Sequence, residues 1–84
     1  MNNTSFASQS EKQFRKNLMG LCLEREISQV QLAKRISMSR PFLNRILRGR
    51  SSPSLRTCDK IALSLKVPLA DLISAKWPEQ ENLA

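Results

Sequence analysis

Lys34, Arg35, Arg40, Arg45, Arg48, Arg50 and Arg56 follow one another between Glu26 and Asp59 with no acidic residue among them. Elsewhere bases and acids balance, so the whole formal charge of +7 resides in that stretch. Unopposed cations on a small domain do one kind of chemistry: they attract and hold a polyanion. The residue sets needed for covalent or acid–base work are missing. The chain has no histidine, no nucleophile set beside a base, no catalytic carboxylate pair and no glycine-rich phosphate loop, so it reads as a non-enzyme without a cofactor. Cys22 and Cys58 stand alone, and a structural metal site would lack ligands. They read as small apolar residues in a reducing compartment.

The elements that must carry these cations are helices. At 84 residues the chain makes one small domain, and a domain of this size is marginal unless its core is well packed or it gains a partner, which makes a homodimer an expectation. With 40% apolar residues and few β-branched or aromatic ones, the class reads as all-α. A sequence pI near 10.3 points to nucleic acid or an acidic membrane surface, and charges interleaved with helical core positions favour nucleic acid. No apolar run approaches the ~20 residues that span a bilayer. The first ten residues lack the basic start and apolar stretch of a signal peptide, so a cytoplasmic protein is expected.

Ser10 is placed to cap a first helix from Glu11, in which Phe14, Leu18, Leu21, Cys22 and Arg25 keep helical spacing while Lys12, Arg15, Lys16 and Glu24 point elsewhere. Ser28 and Gln31 form a capping box for a second helix, buried through Leu32, Ala33 and Ile36 and ending at Ser37. A third runs from Arg40 to Arg48, with Pro41 in the first turn, where its missing N–H is harmless. At about 100° per residue from Arg40, Asn44, Arg48, Pro41 and Arg45 fall within roughly 40° to 140°, and Leu43, Ile46 and Leu47 within roughly 240° to 340°. Polar and apolar faces are opposed. Gly49 stops that helix; Leu55, Cys58, Ile61, Ala62 and Leu65 pattern a fourth; Leu69, Leu72 and Ile73 make a short fifth.

With these residues placed, the chain resembles the lambda-repressor-like helix-turn-helix family, which includes phage repressors, Cro proteins and xenobiotic-response-element type bacterial regulators. The resemblance covers residues 14 to 73. It rests on Ser28-Gln29, Leu32-Ala33, Ile36, Met38-Ser39, Leu43, Ile46, Arg48-Gly49-Arg50, Ser52-Pro53-Ser54-Leu55, Ile61-Ala62, Leu65, Val67-Pro68-Leu69 and Asp71-Leu72-Ile73, in that order and spacing. Two positions depart from the family pattern. Ser37 stands where glycine is common, so a left-handed serine is expected at a cost of roughly 1 kcal/mol. Leu47 stands where glutamate is common, with Cys22 as its expected neighbour, so an apolar contact replaces a salt bridge.

The resemblance implies five helices, the second and third forming the helix-turn-helix and the third entering the major groove of double-stranded DNA. It divides the chain into a flexible segment over 1–10, a DNA-binding domain over 11–75 and a tail over 76–84. Carried onto this sequence, the base-reading candidates are Arg40, Pro41, Asn44 and Arg45: arginine can donate twice to guanine, asparagine can pair with adenine, and Pro41 can touch a thymine methyl. Phosphate contacts fall to Ser28 and Gln29 and, after the third helix, to Arg48, Arg50, Ser51, Ser52 and Ser54, with capping as the other use of Ser28 and Ser54. Arg25, Lys34 and Arg35 read as solvated flank charges, and Phe42 as a packing residue. Leu72 and Ile73 are expected to close the core, leaving Leu69 and Trp77 as dimer contacts. The implied function is a homodimeric transcriptional repressor at an operator with two-fold symmetry. Two alternatives stay open: an antitoxin-type protein that binds a toxin and represses its own operon, and a nonspecific nucleic-acid binder.

Overall fold

The computed structural model describes residues 8–75. It is all-helical, with α1 (Gln9–Glu24), α2 (Gln29–Arg35), α3 (Arg40–Leu47), α4 (Leu55–Leu65) and α5 (Leu69–Ile73), and no strand occurs among the described residues. Nor is any described helix long and apolar enough to cross a membrane.

Serine starts each of the first four helices. The hydroxyls of Ser8, Ser28, Ser39 and Ser54 accept from the backbone N–H groups of Glu11, Gln31, Phe42 and Thr57, each satisfying a donor that has no partner within its helix. The box expected at Ser28 is complete, with Ser28 N–H donating to Gln31 Oε1 at 2.8 Å. α1 starts two residues before the expected Glu11, because Ser8 and Glu11 form a second such box that displaces Ser10 as cap.

The same four helices end alike. Each is followed by a residue at positive φ: Glu26 (57°), Ser37 (55°), Gly49 (77°) and Lys66 (60°). Around each, two backbone bonds close the last turn, as in Ser37 N–H to Lys34 O and Met38 N–H to Ala33 O, the pairing of a Schellman motif. The left-handed serine expected at position 37 is present, and Glu26 and Lys66 take the same conformation. Ile27, Met38 and Val67 follow immediately and pack, partly buried, against the core.

That core gathers Phe14, Leu18, Leu21, Leu32, Ala33, Ile36, Leu43, Cys58, Ile61, Ala62, Leu65 and Leu72. α1 packs on α5 and α3, α2 on α3, and α4 on α5. Two expected core residues lie outside. Leu55, in the first turn of α4, is 76% exposed and Ile73 is 42% exposed; each keeps apolar spacing at a helix end, where no neighbour covers it. Arg25 is more than a flank charge, since its guanidinium donates to the Leu65 carbonyl at the C-terminus of α4, where a cation is favoured. Cys22 is half-buried and Cys58 buried, both as free thiols, and burial is the main cause pushing their pKa values up.

Asn17 is fully buried in this apolar setting. Its Nδ2 donates to the carbonyls of Asp71, Leu72 and Ser74 at 3.2, 2.9 and 2.7 Å, while its Oδ1 accepts from Gln13 Nε2 at 3.0 Å. One amide thus closes the C-terminal end of α5 and fastens it to α1. Asn17→Ala removes the side-chain donor to the buried Leu72 carbonyl and is expected to cost about 2 to 3 kcal/mol in urea denaturation, with α5 amides losing hydrogen-exchange protection first; a loss below about 0.5 kcal/mol would refute this role. Conversely, Ser37→Gly relieves a left-handed serine and is expected to raise stability by up to about 1 kcal/mol in the same assay.

Candidate nucleic-acid interface

α3 is short, and its two faces have separate fates. Leu43 and Ile46 are fully buried, which fixes the helix rotation and turns Arg40, Pro41, Arg45 and Arg48 to solvent, with Asn44 half-exposed beside them. The N-cap at Ser39 and the proline in the first turn set where this exposed row begins.

Gln29, Arg40, Pro41 and Asn44 come together around a shallow depression of about 430 Å³. The left-handed turn at Ser37 folds α3 back so that Asn44 Nδ2 donates to Gln29 Oε1 at 3.3 Å, joining positions fifteen residues apart in sequence. This contact was not foreseen from the sequence, which assigned the two residues to different tasks. Arg45 has its own support: its guanidinium lies 5.7 Å from the centroid of the half-buried Phe42 ring, an attractive cation–π arrangement. Phe42 therefore packs beneath a candidate base-reading side chain.

The turn after α3 carries Arg48 and Arg50, both exposed, on either side of Gly49. Gly49 is favoured by its φ of 77°, and a Cβ there would also meet the Arg15 guanidinium of α1 at 3.0 Å, so that side chain would have to give way. The Ser52 hydroxyl of this segment also faces Glu11 of α1. The Glu11 carboxyl is held below the ordinary glutamate range, chiefly by the Ser8 backbone N–H, then by the Ser52 hydroxyl and the Arg15 charge.

The serines expected at phosphates are distributed over several uses. Ser28 accepts from Gln31 N–H through its hydroxyl oxygen, and its hydroxyl proton stays available to donate. Ser54 caps α4 and donates its hydroxyl to Thr57 Oγ1 at 3.1 Å; Ser51 is half-buried. Cys22 and Leu47 both line an apolar depression of about 530 Å³ between α1 and α2, in keeping with the apolar pairing expected there. Of the expected dimer contacts, Leu69 is partly buried against the core, and Trp77 lies outside the described residues.

A family model described as Helix-turn-helix matches residues 18–72. The immunity repressor protein of Bacillus phage phi105 is 38% identical over 61 residues, which is 73% of this chain and 42% of that relative. The chain thus aligns with less than half the length of the relative it matches. No solved structure matches it.

Proposed function

The chain belongs to the helix-turn-helix family, and from that premise we propose that it is a sequence-specific, double-stranded-DNA-binding transcriptional regulator, acting as a homodimeric repressor at an operator with two-fold symmetry. The observation that carries the reading is the exposed face of α3. Arg40, Pro41 and Asn44 meet Gln29 of α2 around one depression, inside a stretch of sequence without an acid. A helix presenting that face fits the major groove. Arg40 and Arg45 would each donate to guanine O6 and N7, Asn44 would pair with an adenine edge, and Pro41 would meet a thymine methyl.

Gln29, Ser28, Arg48, Arg50, Ser51, Ser52 and Ser54 would fix register on the phosphates, which carry affinity but no sequence information. The Asn44 bond occupies the Gln29 oxygen and leaves its amide hydrogens to donate to a phosphate. The immunity repressor likeness supports repression as the outcome.

Two copies would double the bases read and set the half-sites about one helical turn apart. Leu69 and the exposed Ile73 stand four residues apart on α5, so they share a helix face that supports a dimer contact there. Ile73→Asp is then expected to shift sedimentation from dimer to monomer without lowering the thermal midpoint of the monomer. A dimer that persists would move the contact elsewhere.

Selection of duplexes from a random pool tests the base-reading assignment. Binding to the recovered site should fall steeply with salt, and Arg45→Ala should lose about 1 to 3 kcal/mol of discrimination at one position of each half-site. Equal losses on selected and random DNA would refute a base-reading role for Arg45 and favour nonspecific binding.

A further inference from the structure

Three of the four left-handed helix ends are sealed by an apolar residue immediately after the turn: Ile27, Met38 and Val67, all packed against the core. The end of α3 is built differently. After Gly49 comes Arg50, which is exposed, and the side chain covering the turn is another cation, Arg15. The Cζ, Nη2 and Nε atoms of Arg15 lie 3.0, 3.2 and 3.4 Å from the position a Gly49 Cβ would take. Three guanidinium atoms at nearly equal range mean that the plane of the group faces the turn, where the absence of a Cβ at Gly49 lets it lie close.

Arg15, Arg48 and Arg50 therefore surround one tight turn, an arrangement that opposes folding by like-charge repulsion. The nearby acid does not neutralise all three, because Glu11, kept ionised by the Ser8 N–H, is one carboxylate beside three guanidinium groups. Among the described residues the Arg15 guanidinium makes no hydrogen bond, so its donors are open, on a group whose planar fork matches phosphate oxygens. Arg15 is also half-buried. Its stem is held in place, and its charge faces a single carboxylate, Glu11, one turn earlier on α1.

We propose that Arg15 is a DNA-backbone contact made from α1, forming with Arg48 and Arg50 one phosphate site around Gly49. The proposal rests on the DNA-binding reading and extends the interface beyond α2 and α3. The contact is independent of sequence, so it adds affinity and salt dependence but no base preference.

The test uses the full chain and a duplex recovered by selection with the wild-type protein, titrated by fluorescence anisotropy over a range of KCl concentrations. Wild-type binding that falls steeply with salt is required first; if the wild type binds no duplex, the DNA-binding reading itself fails. Arg15→Met keeps the stem that covers Gly49 and removes the charge. It is expected to weaken binding several-fold at 0.15 M salt and to lower the slope of log K against log salt by about 0.9, the value for one phosphate. Arg15→Lys is expected to keep the wild-type slope. An unchanged slope for Arg15→Met, whatever its affinity, overturns the proposal and leaves Arg15 as a packing residue. Thermal melts of both variants separate this result from unfolding.

Discussion

Backbone groups at helix ends are the constraint on which this structure depends. α2 has seven residues, α3 eight and α5 five, whereas an isolated helix shorter than about 12 to 15 residues is marginal in water. Each terminus leaves up to four N–H or C=O groups without a partner, so helices this short are nearly all end. The chain meets the demand locally at four starts, with Ser8, Ser28, Ser39 and Ser54, and at four finishes with left-handed turns. α5 has Pro68 at its start and no side-chain cap. Its C-terminal carbonyls are answered by Asn17, from the far end of the sequence.

Those same closures build the interface. The left-handed turn at Ser37 and the cap at Ser39 fix how α3 leaves α2, and that angle decides that Asn44 meets Gln29. The buried pair Leu43 and Ile46 then fixes the helix rotation, which turns Arg40 and Arg45 outward. Arg45 over Phe42 and Asn44 against Gln29 hold polar side chains in place before any ligand arrives. Ordering a flexible side chain on binding costs about 0.5 to 1.5 kcal/mol, so part of that cost is already met during folding.

What the sequence revealed divides along the range of the interactions involved. The Ser28–Gln31 box, the span of α4, the span of α5 and the left-handed Ser37 were legible, because each follows from residues within a few positions of one another. The Ser8–Glu11 box is equally local, but Ser10 stands directly before Glu11 and offers a competing cap. Asn17 gave only a faint signal, a polar residue between Phe14 and Leu18 in the buried stripe, since its partners lie more than fifty residues away. Glu26 and Lys66 carry no turn preference of their own; their conformations follow from burying Ile27 and Val67. Leu55 and Ile73 mislead in the opposite sense, because spacing records which face a residue shares and not whether anything covers it. The polar face of α3 was readable from helical geometry, whereas the approach of Arg15 to Gly49 depends on how α1 crosses the end of α3.

The placement of acids separates stability from function. Negative charge in the first turn of a helix is favourable by roughly 0.3 to 1 kcal/mol, because the N-terminus carries partial positive charge. α1 and α5 follow this rule with Glu11 and Asp71. The first turns of α2, α3 and α4 contain no acid, and α3 begins with Arg40, the opposite charge. Selection for stability alone would place aspartate or glutamate there, as it has on the other two helices. The departure is confined to consecutive elements of the acid-free stretch, where any carboxylate would repel a phosphate at the same range that it stabilised its helix. Local rules broken together on one part of a fold mark a site where a partner supplies the missing charge. Here that partner would be the DNA backbone, whose phosphates would complete the electrostatics that the folded chain leaves open.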